Sequence, residues 1–250
     1  MADGVLYVAR GQRYLEAAQT SARSVRAVTP GVAIAIATDE PGATGFDEVV
    51  PLTEPDGYRA KVVGMLASPF ERTLFLDADT YAAADLAEVF ELLDAFDLAA
   101  AHAPNRVALE LDDVPAAFPE LNTGVVAFRR NAAVERFLHG WLDEYDRLQL
   151  LRPPSEDQPA FRRALYAASD LRLAVLPPEF NVRFGMAGFL NQRARILHGP
   201  GDEEDYRAVA ALLNDGVTSW RHRGVFIGRT FFDDRARVVG RFPPKRARGA

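Results

Sequence analysis

Apolar strand patterns and amphipathic helix patterns alternate along the first hundred residues of the chain. The segment 4–10, GVLYVAR, is apolar and β-branched, which predicts a buried strand, and a helical pattern follows from Gln12 to Val28. This alternation predicts an α/β fold, with an open, mostly parallel sheet and helices on both faces. Further strands are predicted at 32–39, 48–52, 73–79 and 97–103, and further helices at 58–68 and around Leu86, Val89, Phe90 and Leu93.

The second half of the chain is less regular but continues the same pattern. The segment 121–130, LNTGVVAFRR, predicts a turn that leads into a strand, and residues 134–148 form the best amphipathic helix pattern. No linker divides the chain, so we expect one domain over 1–250, with a frayed basic tail at about 241–250. A helix is predicted to begin near Ser155, and strands at 171–176 and 195–199.

Composition narrows the chemistry that this fold could carry. The net charge of −6 argues against a nucleic-acid partner. The absence of cysteine excludes disulfides and thiolate metal sites, so any metal must bind to oxygen or imidazole, which favours Mg²⁺ or Mn²⁺. The N-terminus lacks a basic segment, and no apolar run approaches the ~20 residues that span a bilayer, so we expect a cytoplasmic protein.

Polar residues stand at the predicted carboxyl ends of three strands. Arg10 ends the first strand, Thr38 and Asp39 end the second, and Asp77 and Asp79 end the strand at 73–79. Ligands of open α/β sheets bind outside this edge. The pattern therefore predicts one polar rim, where a nucleotide would bind.

The segment 74–80, LFLDADT, places two carboxylates at the end of an apolar strand. The period of two would put Asp77 and Asp79 on the same side, with Ala78 opposite. Two such anions repel each other unless a cation or a shared proton lies between them. The simpler alternative is a solvated strand end, with Asp79 opening the next turn.

Two kinds of phosphate chemistry fit this pair. In haloacid dehalogenase-type phosphatases, Asp77 would be the nucleophile and Asp79 the acid/base, with GDEED (201–205) as the late acidic motif. That chemistry usually needs a lysine between the two acidic motifs, and none occurs between Asp79 and Asp202. In the other chemistry, a divalent cation bridges the carboxylates and the diphosphate of a sugar nucleotide.

From about residue 4 to 201, the chain resembles the glycogenin-like family 8 glycosyltransferases and related bacterial nucleotide-diphospho-sugar transferases of the GT-A fold. The resemblance implies that Asp77 and Asp79 are the metal-binding Asp-x-Asp pair. It implies that His198, in ILHGPG, completes the site for Mn²⁺ or Mg²⁺, and that Gly201 is the glycine of the family's His-x-x-Gly segment. A purely structural histidine is the alternative for His198.

The same resemblance implies a set of residues around the donor sugar. Lys61 would reach the sugar and diphosphate, although it could also be a surface helix lysine. The LNTG segment would supply hydrogen bonds to the sugar, or form a simple turn. Ser155 and Gln158 could instead form a capping box of the next helix. The catalytic residues implied are Asp157, Gln158, Lys61 and Asn122, and Thr123 joins them in binding the donor.

The nucleotide end of the donor would lie at the first strand. Tyr14 would stack on uracil or pack into the core, and the other contacts implied are Ala9, Arg10, Asp39 and Ala78. The chain departs from the family pattern after Gly201, where Glu204 replaces a lysine that clamps the diphosphate. Arg207, one turn further on, could substitute for it.

The function predicted is metal-dependent transfer of a sugar from a nucleoside diphosphate sugar, with UDP as the nucleotide, to an acceptor. The sequence does not identify the acceptor, and the anomeric configuration is expected to be retained. The alternative is a nucleotide-sugar-binding or scaffold protein on the same fold without turnover. The stretch 219–232 predicts either a last packed element or an interface, with a second subunit in a homodimer or with a membrane surface.

Overall fold

The computed structural model describes residues 3–54, 57–105, 109–151, 156–215, 219–221, 225–228 and 237–241. The helices are α1 (Gly11–Val28), α2 (Tyr58–Leu66), α3 (Glu88–Ala95), α4 (Ala132–Leu151), α5 (Asp157–Ala167) and α6 (Glu203–Asn214), with one turn of 3₁₀ helix at Pro178–Phe180. The strands are β1 (Asp3–Ala9), β2 (Ala33–Thr38), β3 (Glu48–Pro51), β4 (Arg72–Leu76), β5 (Thr80–Ala82), β6 (Leu98–His102), β7 (Leu121–Arg129), β8 (Leu173–Leu176), β9 (Gly188–Phe189), β10 (Ile196–His198), β11 (Ser219–Arg221), β12 (Val225–Gly228) and β13 (Arg237–Arg241).

Seven strands form the central sheet, in the order β3-β2-β1-β4-β7-β6-β8. Neighbours pair in parallel except at β7, which is antiparallel to both β4 and β6. One apolar core joins the sheet to α1 and α3, and a second joins its other face to α2, α4 and α5. The predicted mostly parallel sheet with helices on both faces is confirmed.

Strand β7 brings its first residues to the edge where β1, β2 and β4 end, because it runs in the opposite direction. Leu76 pairs with Val125, and the Asp77 amide donates to the Gly124 carbonyl at 2.8 Å. The prediction of a turn at LNTG is wrong, since these residues lie inside β7 and are buried. Asn and Gly favour turns locally, but pairing with two neighbouring strands decides the conformation here.

The prediction of a strand through Asp79 is also wrong, because β4 ends at Leu76. Asp77, Ala78 and Asp79 form a turn that the Thr80 hydroxyl closes by donating to the Asp77 carbonyl at 2.8 Å. Strand β5 then pairs with β10, with Thr80 opposite His198. The alternation of a strand is therefore not what brings the two carboxylates together.

Two helix starts bear on the sequence interpretation. Helix α5 has Glu156 as its N-cap, and the Glu156 side chain makes no capping hydrogen bond; the capping box predicted for Ser155 and Gln158 involves Ser155, which lies outside the described residues. Helix α6 was not predicted. It begins after Asp202, whose carboxylate accepts from the Asp205 amide at 3.0 Å in a reciprocal capping box. The acidic GDEED segment thus has a structural role in starting α6.

The C-terminal residues contribute strands to a second sheet, in the order β13-β12-β11-β9, with antiparallel pairing throughout. This agrees with a last packed element within 219–232, while 229–236 and the tail at 242–250 lie outside the described residues. Over the part of the chain that can be described, no helix combines the length and apolar character needed to cross a membrane.

Asp97, at the start of β6, is 4% exposed and holds a cluster of donors. Its carboxylate accepts from Arg129 at 2.6 Å, from Asn131 at 2.8 Å, and from the Arg172 amide at 2.9 Å. Burial alone would raise the pKa of Asp97, but the hydrogen bonds from Arg172, Arg129 and Asn131 outweigh it and hold the pKa well below its usual range.

We expect Asp97→Asn to lower the free energy of unfolding at pH 7 by about 2 kcal/mol, because the amide is uncharged and replaces one of the two acceptor oxygens with an NH₂ group that faces the arginine donors. The pKa of Asp97 is lower in the folded protein than in the unfolded chain, where it is about 4, so the ionised carboxylate stabilises the fold above about pH 4. That stability is lost as the pH falls towards the folded-state pKa. Urea unfolding should therefore show the gap between wild type and variant shrinking below about pH 4. A gap that stays constant between pH 7 and pH 3 would contradict this account.

Candidate functional site

Three predicted metal ligands meet at the carboxyl edge of the sheet. Nε2 of His198 lies 3.7 Å from Oδ2 of Asp77 and 3.5 Å from Oδ1 of Asp79. The three ligand atoms lie within 4.8 Å of one another. His198 is 2% exposed at the end of β10, while the two aspartates are partly exposed in the turn after β4. The turn and the β5–β10 pairing together create this cluster.

A chain of side-chain amides fixes which nitrogen of His198 carries the proton. The Gly124 amide can only donate, and it donates to Asn122 Oδ1 at 3.1 Å. That oxygen also accepts from Asn181 Nδ2 at 2.7 Å, so Oδ1 of Asn181 faces His198 Nδ1 at 2.8 Å. Nδ1 must therefore be the protonated nitrogen, and the lone pair of the neutral ring lies on Nε2.

The other end of the imidazole agrees with this assignment. Nη1 of Arg183, which is always a donor, lies 3.1 Å from His198 Nε2. The lone pair of His198 Nε2 and the oxygens of the two carboxylates therefore face one another, and the Arg183 guanidinium lies beside them. Carboxylate oxygens and a neutral imidazole form a donor set for a divalent cation such as Mn²⁺ or Mg²⁺, so these residues fit and could hold a metal ion.

Gly124 is a site residue that the sequence interpretation passed over. A Cβ at this position would lie 2.0 Å from Cε1 of His198 and 2.6 Å from Oδ2 of Asp77. Only glycine therefore permits the backbone of β7 to approach the cluster so closely. The signal was present in LNTG, where the glycine follows two residues that were predicted to bind the donor.

Lys61 is buried beside the cluster, so the alternative of a surface lysine is wrong. Its ammonium lies 2.9 Å from Asp77, 3.2 Å from Asp157 and 3.5 Å from the Thr123 hydroxyl. It is 9% exposed. Burial alone would lower the pKa of Lys61, but the carboxylates of Asp157 and Asp77 outweigh it and raise the pKa. The lysine therefore keeps its charge and links two carboxylates.

The residues predicted around the donor sugar lie together on β7 and at the start of α5. The Thr123 hydroxyl donates to Asp157 at 2.8 Å, and the Asn122 amide donates to Gln158 at 2.7 Å. The Trp141 indole donates to the Asp157 carbonyl at 3.1 Å, which fixes the start of α5. A cavity of about 280 Å³ opens beside them, and its lining includes Tyr58, Lys61, Asp77, Asn122, Asp157 and Arg183.

The residues predicted for the nucleotide base form a second group at the same edge. Asp39 accepts from Arg10 at 2.9 Å and from the Gly11 amide at 3.0 Å, and the Gly11 hydrogen bond is the largest of the effects that lower the pKa of Asp39. Ala9 is buried at the end of β1, and Ala78 is buried in the turn after β4. Tyr14 is 56% exposed, so it does not pack into the core.

The segment after His198 does not supply the expected clamp. Gly201 and Glu204 are exposed, and neither forms a hydrogen bond or ion pair with the carboxylate cluster in the described ranges. Arg207 is exposed and pairs with Glu203 at 2.7 Å. Arg183 instead supplies positive charge near the Asp79 carboxylate.

Three solved structures that are similar to this chain are glycosyltransferases. The glycosyltransferase GlyE of Streptococcus pneumoniae TIGR4 is 17% identical, with a TM-score of 0.57 over 74% of this chain and 47% of that one. Its apo form is 16% identical, with a TM-score of 0.55 over 80% and 55%. The apo structure of WbbM, a bifunctional glycosyltransferase, is 17% identical, with a TM-score of 0.52 over 80% and 46%.

The chain therefore has a glycosyltransferase fold and spans about half the length of these structures. No protein-family model matches it, and no curated protein matches it in sequence. The structural similarities assign no particular family among the glycosyltransferases, so the resemblance to family 8 stays a prediction.

Proposed function

We propose that this protein is a metal-dependent glycosyltransferase that moves a sugar from a nucleoside diphosphate sugar, with UDP as the nucleotide, to an acceptor. One observation carries the proposal. Two carboxylates and the lone pair of a buried imidazole converge beside a cavity at the carboxyl edge of a glycosyltransferase fold. Open α/β sheets bind their ligands at this edge.

Asp77, Asp79 and His198 would hold Mn²⁺ or Mg²⁺. When bound, the cation would offset the negative charge that develops on the departing diphosphate. The amide chain from Gly124 orients His198, and Lys61 stabilises the neighbouring carboxylates of Asp77 and Asp157. These contacts support a preorganised site, because its charged groups are already fixed by protein partners.

The sugar would lie in the cavity beside Asn122, Thr123, Asp157 and Gln158, and the base near Ala9, Arg10, Asp39 and Tyr14. The exposed ring of Tyr14 is free to stack on uracil. The acceptor oxygen would form its bond to the anomeric carbon as the bond to the diphosphate oxygen breaks. The acceptor proton would pass to the diphosphate on the same face, which retains the configuration.

Metal-dependent UDP binding is the direct test. Calorimetry should detect UDP binding only with Mn²⁺, and a UDP-sugar hydrolysis assay should show turnover. His198→Ala should raise the Mn²⁺ concentration for half-maximal activity roughly 10-fold or more, which corresponds to ~1.4 kcal/mol, and activity should survive at saturating metal. His139→Ala is the matched control, because His139 is exposed on α4.

Three outcomes would change the proposal. UDP binding that does not depend on metal would contradict the assignment of Asp77, Asp79 and His198 as a metal site. A His198→Ala variant with lost activity but an unchanged metal requirement would point to a different role for the imidazole. UDP binding without any turnover, across a screen of donors and acceptors read by mass spectrometry, would favour the scaffold alternative.

A further inference from the structure

Among the residues that the structure describes, two cationic side chains line the cavity, and one of them, Lys61, already has three oxygen partners. The ammonium of Lys61 has three protons, and its three oxygen partners are Asp77, Asp157 and Thr123. It could bind an anionic ligand only by giving up one of these three contacts, two of which are to carboxylates. Lys61 therefore balances charge within the protein and has no free donor for a substrate diphosphate.

Arg183, the second cation, has donors to spare. Its guanidinium has five N–H groups, and in the part of the chain that the structure describes it makes one hydrogen bond, from Nη1 to His198. The side chain is partly exposed at the cavity wall. Backbone bonds hold the preceding residue beside β10, because Val182 donates to Ile196 at 2.8 Å and accepts from His198 at 2.9 Å. Arg183 is thus fixed next to the metal-ligand candidates.

The contact between Arg183 and His198 competes with metal binding. Nε2 has a single lone pair in the plane of the ring, which cannot accept a hydrogen bond and coordinate a cation together. Coordination of a metal by His198 therefore requires the guanidinium to turn away. With Asp77 and Asp79 engaged by the metal, the diphosphate would be the anion left for the guanidinium.

We propose that Arg183 binds the diphosphate of the donor once the metal has taken its place at His198. The inference rests on the proposed function and names a residue that would stabilise the leaving group. A guanidinium binds phosphate oxygens through two parallel hydrogen bonds, which suits this role. Arg207, on α6, is exposed and is not among the residues that line this cavity.

The test compares Arg183→Met and Arg183→Lys with Arg136→Met, on the exposed face of α4, as the matched control. The ligands are inorganic pyrophosphate and UDP, each with Mn²⁺ by calorimetry, and uridine by NMR titration. Arg183→Met should weaken pyrophosphate and UDP binding about 10-fold or more, since hydrogen bonds between charged groups are lost, and leave uridine binding unchanged. Arg183→Lys should lose less, and Arg136→Met should lose nothing.

A second measurement separates this role from structural damage. Mn²⁺ binding without nucleotide, followed by electron paramagnetic resonance, should be as tight or tighter in Arg183→Met, because the competitor for Nε2 is gone. Weaker Mn²⁺ binding, an equal loss for uridine and UDP, or unchanged UDP binding would each overturn the inference. Thermal unfolding of each variant confirms that it is folded.

Failure of the proposed function would look different. A wild-type chain that binds pyrophosphate through Arg183 but binds no nucleoside diphosphate would overturn the proposed donor and keep the anion site. A wild-type chain that binds neither would overturn both.

Discussion

Asp79→Asn should abolish metal-dependent UDP binding while the fold is kept. The change removes one of the proposed charged ligands. Loss of an outer-shell partner typically lowers metal affinity 10–100-fold, so loss of a direct ligand should lower the affinity for Mn²⁺ by at least about 100-fold. It also removes one of two like charges beside His198, which relieves repulsion in the metal-free protein. The backbone carbonyl of Asp79, which accepts from Gly199 at 2.9 Å, is untouched.

Calorimetry with UDP and a Mn²⁺ titration by electron paramagnetic resonance would measure this loss, and urea unfolding would measure stability. Asp143→Asn, on the exposed face of α4, is the control for removing a charge elsewhere. If Asp79→Asn binds UDP with the wild-type metal requirement, Asp79 is not a ligand. The phosphatase alternative would instead release phosphate from p-nitrophenyl phosphate, which we do not expect.

Gly124→Ala should weaken metal binding nearly as much as Asp79→Asn, although it removes no ligand and no charge. The added Cβ would lie 2.0 Å from His198 Cε1, so the imidazole or strand β7 must move. We expect a loss of about 1–3 kcal/mol in the free energy of unfolding, as for overpacking in a core, and a loss of Mn²⁺ binding. Unfolding in urea and a Mn²⁺ titration give the two readouts.

Gly140→Ala is the matched control, because a Cβ there meets nothing within 4 Å and α4 should gain about 0.5–1 kcal/mol. The double variant Gly124→Ala with His198→Ala tests the cause. Since the clashing ring is gone, it should recover part of the stability without recovering metal binding. A Gly124→Ala variant with wild-type stability and metal affinity would show that the strand can relax at no cost.

The sequence predicted the features that depend on local pattern. The strands β1, β2 and β4 and the helix α1 follow from runs of apolar residues with the matching period, and the sheet class follows from their alternation. Asp77 and Asp79 were visible because two charges directly after an apolar strand are unusual. Their local geometry was predicted wrongly, since the turn is closed by Thr80 and by pairing with β10, more than a hundred residues away.

The features that the sequence did not predict depend on contacts between distant segments. LNTG is typical of a turn, and only its insertion between β4 and β6 makes it a buried strand. Asn181 and Arg183 carry no motif that marks them. They reach His198 because Val182 and Leu197 pair in a short parallel bridge, which no local periodicity encodes.

The amide chain from Gln158 through Asn122 and Asn181 to His198 has one direction, set by the backbone amide of Gly124. Asn122 and Asn181 each donate one hydrogen bond and accept another, so neither can be replaced by a carboxylate without reversing or breaking a neighbouring hydrogen bond. In evolutionary terms, these positions should vary as one unit. Among relatives of this chain, a change at 181 should come with changes at 122 or 198, while exposed positions nearby drift independently.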